Sequence, residues 1–267
     1  MAKIVNYNVV LKLFVLLLTF KVILSCAEKK YTIQKIEGKQ IQITEDFLNT
    51  SDRRVIENNN KIENTTKPYR EKIDFDLNLI LSDAPETIDK IGEWQTPMGN
   101  FLADLTFEKA SKLFQLKEGK AIDICLLNTG GIRSVISKGA VTARNAFEIM
   151  PFENSCVVIG FKASHIIEII NFIIEDKKPH PLSGLSFTID KNNKAQNILV
   201  NGSSLQYDKL YYVVTSDYLS NGGDNMVFFK NAIEKYDLEY KLRNLIIDYF
   251  KETKVITFNK DVRITKE

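Results

Sequence analysis

The sequence predicts an α+β fold, a single mixed α/β domain rather than a doubly wound sheet. Three observations carry this. Apolar β-like runs and amphipathic helical stretches mix along the chain without regular βαβ alternation. Two of the β runs stop abruptly in paired glycines, where a chain must turn out of a sheet. The 267 residues are 44% hydrophobic and 26% charged, a composition that supports a core and argues against disorder. No self-similar repeat stands out.

At the N-terminus, Lys3 and Lys12 precede the apolar run "LFVLLLTF", and Lys21 interrupts the hydrophobicity before "VILSC". The run is short for a membrane span and fits the core of a signal peptide. The segment "ILSC" resembles a bacterial lipoprotein cleavage box, with the small Ser25 preceding Cys26. The resemblance implies a lipoprotein signal over residues 1–25, a lipid anchor on Cys26, and a place in the bacterial cell envelope on the periplasmic or outer-membrane face. Residues 26–67 read as a hairpin around Glu37-Gly38 followed by a polar connector, "NTSDRRVIENNNKIENTTKP", expected as loop.

The main domain is expected over residues 68–267. After Pro68, "YREKIDFDLNLIL" has helical periodicity. A second helix is expected from Pro97, with Thr96 as N-cap and Met98, Phe101, Leu102, Leu105 and Leu113 on one side. "AIDICLL" and "SCVVIGF" read as strands and "HIIEIINFII" as a helix. "LSFTID", "AQNILV" and "LYYVVTSDYL" follow as strands, then a helix in "EYKLRNLIIDYFK" and a closing strand in "VITF". Cys125 and Cys156 sit inside apolar β runs and are expected to be buried free thiols.

Net charge is only +2, with no basic run interleaved with aromatics, so nucleic acid is not an expected partner. The two glycine turns are "LLNTGGIR" and "SDYLSNGGDN". Gly130 and Gly131 let a ligand approach the main chain. Asn128 offers an amide donor and acceptor, and Arg133 a cationic fork. Asp224 is an acceptor of the kind that holds a sugar diol, while Phe152 in "MPFENS" and Tyr218 supply two rings able to sandwich a base. Singly, each has a duller reading: Gly-Gly-Asp is a common turn, Pro-Phe a core anchor, and Arg133 a surface ion-pair partner. Together they meet the requirements for holding a nucleoside.

"TPMGNFLAD", "LNTGGIR", "MPFENS" and "SDYLSNGGDN" resemble, in order and spacing, the C-terminal domain of the 5′-nucleotidase family, from about Tyr31 to Thr257. The resemblance implies that Asn128 contacts the base, Gly130 and Gly131 frame the pocket, Arg133 meets ribose or phosphate, Phe152 and Tyr218 stack, and Asp224 binds the ribose hydroxyls. In that family a separate metallophosphoesterase domain holds two metal ions and performs hydrolysis. This chain departs twice: Tyr218 stands where the family usually has phenylalanine, and Gly92 aligns near a second family arginine that approaches the phosphate.

A two-metal phosphoesterase centre needs several His and Asp ligands. The chain has two histidines, His165 in an apolar helix and His180 between two prolines, neither in an Asp-x-His or Gly-Asn-His context. The expectation is a chain without metal or cofactor of its own that is inactive alone. It would supply the nucleoside pocket of a split 5′-nucleotidase to a separately encoded metallophosphoesterase chain that carries the divalent metals. The alternatives are a non-catalytic nucleoside-binding lipoprotein and a remnant with an empty pocket; intact Asn128, Arg133 and Asp224 argue against the remnant.

Overall fold

The computed structural model describes residues 53–267 and Lys12. The expected signal segment, Cys26 and the hairpin at Glu37-Gly38 lie outside the described residues. Residues Lys61–Glu267 form one compact unit, to which the following refers.

Helix α1 (Arg53–Leu77) corrects the expected connector: most of that polar stretch is helical and runs through Pro68. All side chains from Lys61 to Asp76 are exposed, so this part of the helix buries no face, and before Pro68 its sequence is mostly polar. Local pairs support it instead. Arg70 grips Glu63 through both guanidinium nitrogens at 2.7 and 3.1 Å, and Lys72 meets Asp76 one turn away at 2.7 Å. The helical reading after Pro68 holds as far as Leu77; the chain then turns into strand β1 (Ile80–Ala84), which pairs antiparallel with β3 (Gly139–Thr142).

Helix α2 (Pro97–Glu118) starts as the sequence predicts. Thr96 Oγ1 accepts a 2.9 Å bond from Gly99 N, and Pro97 needs no amide partner at the first position. It ends at Gly119, whose φ of 66° closes the last turn. Met98, Phe101, Leu102 and Leu105 are buried, and Leu113 is partly so.

A five-stranded sheet lies at the centre, in the order β10 (Glu234–Lys241), β4 (Ser155–Lys162), β9 (Leu210–Ser216), β2 (Ile124–Leu126), β5 (Leu182–Ser183). Its middle strands are buried on both faces, which is why they read as continuous apolar runs. Alternate residues feed two cores. Cys125, Cys156, Val158 and Val214 pack with α2, α3 (Ala143–Ile149) and α6 (Leu242–Glu252). Ile124, Leu126, Val157, Ile159 and Val213 pack with α4 (Ala163–Asp176) and a second sheet, β11 (Ile264–Lys266), β6 (Leu185–Ile189), β7 (Ala195–Val200), β8 (Ser203–Ser204). On α4, Ile166, Ile169, Ile170 and Ile173 are fully buried, each contributing about 1.5–3 kcal/mol.

Gly184 alone separates β5 from β6 and hands the chain from one sheet to the other. Its φ is 76°, and a Cβ there would lie 2.2 Å from the carbonyl oxygen of Asp123, so no other residue fits. Cys125 and Cys156 are free and buried. They stand on either side of β9, about 10 Å or two strand spacings apart, beyond disulfide reach. The closing strand is also corrected: Val255 makes only an isolated bridge to Asp83, and the last strand is β11.

Candidate nucleoside site

Sheet topology brings the two glycine turns together. β2 and β9 are parallel neighbours with Cys125 beside Val214, so both chains leave the sheet at one edge. β4 runs antiparallel to β9 with Cys156 beside Ser216, so its entering segment lies at that same edge. Three loops therefore converge, after β2, after β9 and before β4, in the position where ligand crevices form at strand ends. They enclose a cleft of about 370 Å³ lined by Asn128, Gly130, Gly131, Arg133, Phe152, Asn154, Tyr218 and Asp224. All seven residues singled out in the sequence for binding are among them, and Asn154 is the addition.

Each residue has a local reason for its place. Thr129–Gly131 forms a 3₁₀ turn after Asn128, in which a Cβ on Gly131 would come within 2.8 Å of Asn128 Oδ1. Arg133 follows, tied by its amide to Ile149 O at 2.9 Å, and its Nη1 lies 3.5 Å from Gly130 O. Among the described residues Arg133 is the one cation lining the cleft. Gly92 does not line it, and a Cβ there would meet Gln95 O at 1.8 Å, so this backbone has no room for a side chain at that position.

The expected strand "LYYVVTSDYL" ends at Ser216, a correction of its last residues. Ser216 Oγ accepts from Leu219 N at 3.1 Å and so starts the short helix α5 (Asp217–Ser220), turning Tyr218 toward the cleft. The turn beyond it holds Gly222 at φ 88° and Asp224 at φ 49°, left-handed backbone that costs little for glycine and is tolerated by Asp. Asp224 is the hub. Its Oδ2 accepts from Asn128 Nδ2 at 2.5 Å, and its Oδ1 accepts from the Tyr218 hydroxyl at 2.9 Å. Phe152 and Tyr218 are 42% and 46% exposed, unusual for aromatic rings and available to a flat ligand.

Two supporting residues went unrecognised in the sequence. Buried Arg243 at the start of α6 reaches the loop that carries Phe152: its Nη1 donates to Pro151 O at 3.2 Å and Met150 O at 3.4 Å, it pairs with Glu153, and it lies 4.2 Å over the Phe147 ring. His180 is buried behind the Gly-Gly turn. Its Nδ1 accepts from Thr129 N at 3.4 Å and its Nε2 donates to Asp176 Oδ2 at 2.8 Å, a tautomer required because an amide can only donate. Thr129 Oγ1 adds a bond to Pro179 O at 2.8 Å. Asn154 was closer to hand, two residues after Phe152 in the same loop before β4.

A larger cleft, about 470 Å³, lies between Asp104, Asn201 and Arg263. Its carboxylates are hydrogen-bonded within it, Asp104 accepting from Arg263 at 2.5 Å and from Ser183 at 2.7 Å and Asp261 from Asn259 at 2.5 Å, and no aromatic ring lines it. Among the described residues no group of three or more His, Cys, Asp or Glu is placed to hold a metal ion.

The model of the family "5′-nucleotidase, C-terminal domain" matches residues 83–231. The chain is 24% identical over 166 residues to a 5′-nucleotidase of Vibrio vulnificus (strain CMCP6), covering 59% of this chain and 28% of that protein. It is 25% identical over 261 residues to the cell wall protein Lmo0130 of Listeria monocytogenes serovar 1/2a, covering 85% of this chain and 33% of that one. The fold is similar to that of the 5′-nucleotidase precursor from Thermus thermophilus, with a TM-score of 0.65 at 23% identity over 76% of this chain and 42% of the other. The chain spans less than half the length of each of these proteins. With the family match extending over more than half of the sequence and the fold agreeing with it, the chain belongs to the 5′-nucleotidase C-terminal domain family.

Proposed function

We propose that this chain is the nucleoside-binding half of a split extracytoplasmic 5′-nucleotidase. It is held at the cell envelope by a lipid on Cys26 and presents nucleotides to a separately encoded metallophosphoesterase chain. The observation that carries the reading is the convergence of Asn128, Arg133, Phe152, Tyr218 and Asp224 on one cleft of about 370 Å³. The exposed rings of Phe152 and Tyr218, both lining the cleft, offer faces on which a base would stack, each such contact contributing about 1–3 kcal/mol. Asp224 accepts from the sugar hydroxyls, Asn128 and Asn154 meet the edge of the base, and Arg133 faces the 5′ side. In this reading the phosphate chemistry falls to the partner's metals, and the part of this chain is to bind and orient.

A second reading, a nucleoside-binding lipoprotein without a catalytic partner, is favoured by one observation. Arg133 is the one cation lining the cleft among the described residues, and the backbone at Gly92 excludes a second from there.

Calorimetric titration of the chain with Cys26→Ser against adenosine and AMP tests the shared core of both readings. Saturable binding is expected, with a loss of at least about tenfold in Asp224→Ala, the worth of a hydrogen bond to a charged group. Retention of full affinity in that variant defeats the site assignment. Release of phosphate from AMP by the pure chain with added divalent metal would defeat the division of labour.

A further inference from the structure

We propose that the Tyr218 hydroxyl is a positioning group that clamps Asp224 for recognition of a vicinal diol, so that the ring which stacks and the carboxylate which reads the sugar form one unit. The inference rests on the nucleoside reading of the cleft and adds to it a basis for preferring ribose-type sugars.

The phenol oxygen makes two bonds to the same residue. It donates to Asp224 Oδ1 at 2.9 Å and accepts the Asp224 backbone N–H at 3.2 Å. Asp224 stands in left-handed backbone at φ 49° and ψ 35°, which a side-chain-bearing residue adopts at some cost and which needs fixing from outside. The tyrosine supplies that fixation to main chain and side chain together. Asn128 Nδ2 holds the other carboxylate oxygen at 2.5 Å, so the plane of the carboxylate is set from both ends before a ligand arrives. Each oxygen then keeps capacity for a further donor, and two oxygens held in a fixed plane suit two adjacent hydroxyl donors. A carboxylate already oriented loses less freedom on binding the diol than one that rotates.

The ring is placed by the same turn. A Cβ added to Gly223 would come 2.4 to 2.7 Å from three atoms of the Tyr218 ring, so the ring lies flat against the glycine backbone and the hydroxyl falls opposite Asp224. Phenylalanine would fit the same space and keep the stacking face while losing both bonds. That makes Tyr218→Phe a clean probe.

The test compares adenosine with 2′,3′-dideoxyadenosine, which has the same base and no diol, on the full chain by calorimetry. Tyr218→Phe is expected to weaken adenosine about tenfold, the loss of one hydrogen bond to a charged group, and dideoxyadenosine less than about twofold. Equal losses for the two ligands would show that the hydroxyl does not act through the diol. No loss for adenosine would show that the hydroxyl is idle, and a gain that it competes with the sugar; each of these results overturns the proposal. Failure of the wild-type chain to bind either ligand would defeat the nucleoside reading and the diol preference with it. The clamp is then decided without ligand: hydrogen exchange at the Asp224 amide, followed by NMR, should accelerate in Tyr218→Phe, and an unchanged rate overturns it.

Discussion

His180 shows how a residue outside the cleft sets its shape. Burial pushes its pKa below the ordinary value, against the raising effects of Asp176 and Asp224, and Lys178 adds to the lowering. The ring is therefore neutral in the folded chain, as its bond from the Thr129 amide requires. A histidine lowered on folding takes up its proton more readily when unfolded. Its contribution to stability is thus complete above the unfolded value of about 6.5 and is lost as pH falls from there through the lowered folded value. Urea unfolding between pH 5 and 8 should show this loss in the wild type and less of it in His180→Gln. That variant should also be weaker by about 1–3 kcal/mol at pH 8, because the Thr129 amide and Asp176 lose their partner. Parallel stability curves for the two proteins would refute the assignment. No motif marks His180 in the sequence, since a histidine between prolines is as compatible with an idle loop.

Among the elements, α6 and the segment between α3 and β4 are coupled through Arg243, whose bonds to Met150 O and Pro151 O fix the chain immediately before Phe152. Arg243→Met keeps much of the buried stem and removes the bonds. It should lower stability by about 1–3 kcal/mol and adenosine affinity severalfold, since two backbone carbonyls lose their donor and the stacking ring loses its anchor. Wild-type affinity in a folded Arg243→Met would separate α6 from the site. How much of this was legible in the sequence follows from what each element writes into it. α2 declared itself through Thr96, Pro97 and its apolar side, and the central strands through their unbroken apolar runs. The seven cleft residues were legible because their chemistry is concentrated in turns. The part of α1 before Pro68 was not, because its described side chains, Lys61 to Lys67, are exposed and mostly polar, and the strand reading of "LYYVVTSDYL" overran because apolar character continues past the Ser216 cap. Arg243 could not be read because its partners are carbonyl oxygens far away in sequence, 92 residues in the case of Pro151.

Across the whole molecule, the two cores meet through a sheet that both depend on, and Cys125 and Cys156 lie in its interior on one face, fully buried. Burial pushes both thiols well up from their ordinary value, away from the reactive thiolate. In the Cys26→Ser chain, a thiol reagent should therefore label neither cysteine under native conditions, and labelling along a urea gradient should coincide with loss of circular dichroism. Rapid labelling of the folded chain would mean that the sheet opens locally. The order of its strands also governs the nascent protein. β9 is third-last in the sequence among the eleven described strands, yet it sits between β2 and β4, and the other neighbour of β4, β10, comes later still. While the ribosome is still making residues 163–209, β4 has been synthesised without either of its partners, leaving the bare edges and apolar faces that drive misassembly. The polypeptide must therefore be kept from premature association until β10 is complete at Lys241, and the cleft, whose loops lie on both sides of β9, cannot form before that late strand and the turn through Asp224 have been added.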